Sequence, residues 1–159
     1  MEIKDSGARR DFDTGAVRDI ADGKGRCDLL PLLEIATLLG NNLVLYNVGQ
    51  YVAYGSETFL YQALEEFCED CKVDLPTAIL EVSKHYEAGA KKYAERNWEK
   101  GIPLHCYIDS GVRHYLKHLR GDTDEPHDRA FIWNMLGALW TQENKPALID
   151  LPFKEFEND

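Results

Sequence analysis

Between Ala130 and Trp140 the chain is apolar on nearly every side of any helix it can form. A helix that is apolar all round must be buried all round. No run in the chain approaches the roughly 18 apolar residues of a membrane-spanning helix. The segment over 126–143 is therefore expected to be the central helix of a bundle, with other elements packed on it. Asn134 is the exception within it. A buried amide without partners costs about 1–3 kcal/mol, so Asn134 is expected to link helices, close behind any metal site.

The flanking sequence supplies the other helices. One is expected from Asp28 or Pro31 to Leu39, closed by Gly40-Asn41-Asn42. Ser56 is placed to cap a helix over 57–72, and Asp74 with Pro76 to start a longer one reaching Glu95. The apolar stripe of that longer helix is Ile79, Val82, Tyr86, Ala90 and Tyr93. After a loop at 96–103, a helix over 104–120 carries Ile108, Val112, Tyr115 and Leu119 on one face. Tyr107, Gly111, His114 and His118 form the adjoining stripe, and Gly121 ends the helix. Residues 43–54 fit a strand or a helix. Residues 1–28 hold four glycines and few apolar groups, so contacts or ligand must tie them down. The tail after Pro146 reads as irregular, and it is acidic from Asp150 to Asp159. The expected fold is all-α, a single domain over 1–159, with a bundle of four to five helices and an extended N-terminal segment.

A net charge of −10 disfavours a nucleic acid polymer as partner, because such binding runs on Lys and Arg against phosphate. Small phosphate ligands remain open to an acidic chain that has a local basic patch or a divalent cation. Arg9, Arg10, Arg18, Lys24 and Arg26 form one basic group, and Lys84, Lys91, Lys92, Arg96 and Lys100 another. The single C-x-x-C, at Cys68 and Cys71, lies in a predicted helix with no second pair to complete a zinc site. The start has no apolar stretch of a signal peptide, and the expected location is the reducing cytoplasm.

Several motifs recur together: Ser6-Gly7-Ala8-Arg9-Arg10, Gly15-Ala16-Val17-Arg18-Asp19 and Gly23-Lys24-Gly25-Arg26-Cys27-Asp28-Leu29-Leu30-Pro31. Further on come Gly89-Ala90-x-Lys92-Tyr93-x-x-Arg96-Asn97-Trp98, Arg113-His114, Asp124-Glu125-x-His127 and Trp133-Asn134. Over residues 6–31 and 79–140 the chain resembles a phage and bacterial family, the dATP/dGTP diphosphohydrolases of MazZ type among the MazG-like nucleoside triphosphate pyrophosphohydrolases. Residues 40–76 look like an insertion. The resemblance implies a MazG-like fold and cleavage between the α- and β-phosphates of a purine (deoxy)nucleoside triphosphate. It also implies Mg2+ or Mn2+ and a homodimer or homotetramer with sites near subunit contacts. Better-known MazG enzymes hold metal with E-E-x-x-E and E-x-x-D. Here E-E-x-x-E occurs only at Glu65, Glu66 and Glu69, within the apparent insertion.

A triphosphate carries about four negative charges, and divalent cations both neutralise them and activate a water. Asp124, Glu125 and Asp128, with Asp109 or Glu87 from neighbouring helices, are the candidate carboxylates. Glu87 either serves catalysis or pairs with Lys91, and Asp109 either binds metal or pairs with Arg113. His127 is a candidate to bind metal, orient a carboxylate or bond a phosphate. His114 is the second candidate imidazole, and His118 is read as a surface or packing residue. Lys92, Arg96 and Arg113 are expected to neutralise phosphates, with Arg9, Arg10, Lys24 and Arg26 closing over them. Tyr93 and Trp98 offer faces to a purine, and Asn97 a paired donor and acceptor for its edge. Two other readings stand beside this one. His127-Asp128 also fits a histidine-aspartate metallohydrolase, with His85 or His105 as further ligands. A helical protein that binds nucleotide without turnover is the third.

Overall fold

A computed structural model describes residues 4–154. The end of the acidic tail, residues 155–159, lies outside the described residues. Among those described, six helices carry the fold: α1 (Leu32–Leu38), α2 (Leu43–Tyr54), α3 (Glu57–Asp70), α4 (Leu75–Lys92), α5 (Leu104–Arg120) and α6 (His127–Asn144). The sixth arises because residues 43–54, which fit strand or helix, form α2, capped by the Asn42 side chain on Leu45 N. The extended N-terminal segment folds into an antiparallel pair, β1 (Arg9–Asp11) and β2 (Val17–Asp19), with Arg10 opposite Arg18. The protein is an all-α bundle with one small hairpin.

Helix ends follow local chemistry. Asp74 caps α4 by accepting from Thr77 N, and Pro76 sits in its first turn, where its missing N–H costs nothing. Gly55 and Gly121 close α2 and α5 in the left-handed conformation. Ser56 departs from expectation, since its side chain makes no cap hydrogen bond to α3. The stripe of α4 holds at Val82 and at Tyr86, which packs on the core, but not at its first residue. Ala78 and Val82 are its buried residues, whereas Ile79 is 58% exposed. On α5, burial ends at Tyr115, and the last turn carries Leu119 out to 47% exposure.

As expected, α6 is the core helix, with Ala130, Phe131, Ile132, Met135, Ala138 and Leu139 buried. Each large side chain so buried contributes about 1.5–3 kcal/mol. Residues 40–76, expected as an insertion, are integral to this core. Leu45, Val48 and Tyr51 of α2 and Leu60 and Phe67 of α3 are buried in it. Phe67 packs edge-on against Tyr115 and tilted against Phe131. Tyr51 donates to Gln142 Oε1 on α6 at 2.7 Å, and Asn42 donates to the Tyr115 hydroxyl at 2.7 Å.

Two glycines set how closely α5 and α6 approach. A Cβ on Gly111 of α5 would stand 2.4 Å from Met135 Cε and 3.2 Å from Asn134 Cβ. A Cβ on Gly137 of α6 would stand 2.2 Å from the Tyr107 ring. Alanine is intrinsically better than glycine within a helix by about 1 kcal/mol. Gly137→Ala is nonetheless expected to destabilise the fold by about 1–3 kcal/mol, because the Tyr107 ring has to move. Chemical denaturation measures this, and an unchanged or raised midpoint would show that the two helices do not pack this closely.

Candidate functional site

The polar loops and helix faces converge on a cavity of about 350 Å3. It lies among β2, the second half of α4, the loop at 93–98, the middle of α5 and the start of α6. Aromatic rings form much of its wall: Tyr86, Tyr93, Trp98 and Trp133. The Trp133 ring centroid is 5.6–5.9 Å from those of His85, Tyr107 and Tyr86. Lys4, Lys24, Lys92, Arg96 and Lys117 add positive charge to the lining. Aromatic rings together with these cations suit a ligand with a flat ring and several negative charges.

One corner of the cavity holds imidazoles and carboxylates. His127 is 2% exposed at the first turn of α6. Its Nε2 lies 2.7 Å from Asp124 Oδ1, and its Nδ1 lies 2.8 Å from His114 Nδ1. Hydrogen bonds from Lys4 and then from His127 hold the Asp124 carboxyl far below the usual range. Asp124 is therefore an ionised acceptor, and His127 Nε2 carries a proton towards it. Burial, and then His127, push His114 down to about 3, so His114 is a neutral imidazole at neutral pH. The ligand atoms of His114, Glu125 and His127 lie within 4.8 Å of one another, as do those of Asp122, Asp124 and His127. Lys4 covers this corner, its ammonium 2.5 Å from Asp124 and its backbone N donating to Glu125 Oε1 at 2.9 Å.

The sequence of this chain matches the family described as dATP/dGTP diphosphohydrolase, N-terminal, over residues 52–150, more than half of its length. The chain belongs to that family. No curated protein and no solved structure matches it. The family's stretch takes in Lys92 to Trp98, Arg113-His114, Asp124 to His127 and Trp133-Asn134. It begins inside the segment 40–76, in keeping with the place of α2 and α3 in the core, and it leaves the N-terminal motifs outside.

In this diphosphohydrolase-family chain the expected site residues divide. Lys24, Lys92, Tyr93, Arg96, Asn97, Trp98, Arg113, His114 and Glu125 all line the cavity, and Asp124 and His127 join it through the histidine pair. Asp109 does not. It is buried, and it accepts from Arg113 Nη2 at 2.6 Å and from Cys27 N at 2.7 Å, fastening α5 to the N-terminal segment. Asp128 is one residue on from His127, about 100° round the helix, which turns it out to solvent. Its Oδ1 takes Arg129 N. The histidine-aspartate pair therefore does not converge on one point. Glu87 is exposed on α4 and does not line the cavity. Glu65, Glu66 and Glu69 on α3 are likewise absent from the cavity and from both cation-sized groups.

The N-terminal cations were expected to close over phosphates, but most are spent on nearby carboxylates. Arg9 makes two hydrogen bonds to Asp5, at 2.7 and 3.0 Å, and Arg26 two to Asp28, at 2.8 and 2.7 Å. Arg10 lies over Phe12. None of the three lines the cavity. Asn97 is also committed. Its Nδ2 donates to Val17 O at 2.7 Å and its Oδ1 accepts from Val17 N at 2.9 Å. The edge expected to read a base instead holds β2 against the 97–100 turn.

Arg18, named only within a basic group, and His85, named only for the histidine-aspartate reading, both line the cavity, as do Lys4 and Lys117, which were not singled out. A signal existed for two of them. Arg18 alternates with Ala16, which is fully buried, along a strand. His85 follows Val82 at i+3 on the buried face of α4.

Asn97→Ala should remove the double bond to Val17 and cost about 1–3 kcal/mol. Amide exchange at residues 9–19 should accelerate while helix content stays constant. Unchanged protection at Val17 would mean that Asn97 does not hold the hairpin.

Proposed function

We propose that the protein hydrolyses dATP and dGTP between the α- and β-phosphates, releasing the monophosphate and pyrophosphate. The observation that carries this is one cavity, in a chain of this family, with aromatic walls for a base and cations for phosphates beside a corner of His114, Glu125 and His127.

The donor chemistry of that corner fits a divalent cation. Two imidazoles and a carboxylate suit Mn2+ better than Mg2+, which prefers all-oxygen surroundings. His114, Glu125 and His127 would hold the ion, since His114 and Glu125 face the cavity. There it would supply positive charge against phosphate and would make a water more acidic. The protein does the rest. Asp124 fixes the ring orientation of His127 through Nε2, the role a carboxylate plays behind a metal-binding histidine. Lys92, Lys117 and Arg96 offset charge on the outer phosphates from three different elements. Trp98 and Trp133 exclude water from the faces of the base.

Self-association belongs to the same reading. Leu75 and Ile79, one turn apart on α4, are 46% and 58% exposed and offer an apolar surface to a second copy.

Anion-exchange analysis of dATP and dGTP turnover with Mn2+ should show monophosphate and pyrophosphate in equal amounts. Release of phosphate or triphosphate, or no turnover with any divalent ion, would exclude the proposal. Asp124→Asn should weaken Mn2+ activation by about 10- to 100-fold, as loss of a carboxylate behind a ligating histidine does. Equal Mn2+ dependence in that variant and the parent would remove Asp124 from the role.

A further inference from the structure

Three residues in the wall of the cavity carry a buried polar atom without a hydrogen-bond partner among the described residues: Arg18 Nη1, His85 Nδ1 and Arg113 Nε, of which Arg113 is already tied through its Nη2 to Asp109 and Gly25 O. Leaving such a group unsatisfied costs about 1–3 kcal/mol, so the Arg18 and His85 atoms, on residues that line one cavity, point to a ligand that satisfies both. Their surroundings define its chemistry. The Arg18 guanidinium lies 5.4 Å from both the Tyr107 and Trp133 ring centroids. Its Nη2 donates to Asn134 Oδ1 at 3.1 Å, and Asn134 Nδ2 is anchored on Ala130 O at 2.8 Å. Arg18 is thus oriented from the core helix and from two rings. His85 stands against Trp133, with ring centroids 5.6 Å apart.

An arginine set between two rings is poorly placed for a triphosphate, whose charges call for the lysines of the lining and for hydration. It is well placed for the edge of a base whose face rests on tryptophan. Resting on the function proposed above, we propose that Arg18 and His85 read the N7 and six-position edge of the purine. Arg18 Nη1 donates to N7, an acceptor that adenine and guanine share and pyrimidines lack. His85 Nδ1 meets the six-position substituent. Burial, and then the charges of Arg129 and Arg18, push His85 down to about 4, so its ring is neutral and has two tautomers. One tautomer accepts from the amino group of adenine, and the other donates to the carbonyl of guanine. A fixed donor beside an adaptable ring gives a pocket that takes both purines and rejects both pyrimidines.

The test uses the full chain and four nucleotides: dATP, dGTP and their 7-deaza analogues, which carry carbon in place of N7. Dissociation constants are measured by calorimetry without divalent metal, and products are analysed separately with Mn2+. The deaza analogues are expected to bind about 10- to 100-fold more weakly than their parents. In Arg18→Met both parents should fall to the affinity of the deaza forms, so that the ratio collapses to about one. His85→Leu should weaken dATP and dGTP alike, and His85→Gln, which keeps a donor and an acceptor, should retain most of their affinity. Equal binding of parent and deaza nucleotides, or no binding of either purine, overturns the assignment of Arg18. A preserved ratio in Arg18→Met does the same. Loss of only one purine in His85→Leu overturns the tautomer argument. Purine binding with the expected ratio but no pyrophosphate release would instead count against the hydrolytic function and leave the base-reading pair in place.

Discussion

The close approach of α5 and α6 is the constraint on which the site depends. Gly111 admits Met135 and Asn134, and Gly137 admits the Tyr107 ring, so the two helices share side-chain space that a single methyl group would fill. That contact sets Asn134 facing Arg18, brings His114 of α5 to the Nδ1 of His127 on α6, and stands Trp133 beside Tyr107. A core helix that is apolar almost throughout can serve a polar site because its polar groups are confined. His127 sits in the first turn, and Asn134 is satisfied on both of its side-chain atoms. Dry packing on the rest of the helix holds those two groups in place without loops.

Much of the fold was legible because strong local signals agree. Pro103 and Gly121 bracket α5, Asp74 and Pro76 start α4, and the run from Ala130 to Trp140 leaves no face for solvent. Where the inward stripe of α4 begins was not legible. Ala78 and Ile79 lie side by side, and only the neighbouring helices decide that the smaller residue packs inward. The residues of the site were legible as a set of chemistries more than as partners. Histidines and acids at 114–127 were recognised, but Asp128 and Asp109 could be separated from them only by helix phase and by the Arg113 contact. A sequence lists Arg9 and Arg26 as cations and cannot show that Asp5 and Asp28 already neutralise them. Asn97 misleads for the same reason. Its paired donor and acceptor match the edge of a base, and they match the backbone of Val17 equally well.

That self-neutralisation explains how an N-terminal segment rich in arginine coexists with a strongly acidic chain. The segment is held as a structural element, its hairpin pinned by Asn97 and its end fastened where Arg113 donates to Gly25 O and Asp109 accepts from Cys27 N. Only selected groups reach the cavity from it, notably Arg18 and Lys24 in the lining and Lys4 over the acidic corner. Lys4 is the most exposed of these pairings, with 64% of its side chain open to solvent, so water and salt screen its attraction to Asp124. The geometry of the corner therefore rests on the part-buried contacts, His114 to His127 and His127 to Asp124. Lys4 adds charge that an incoming ligand can displace at little cost.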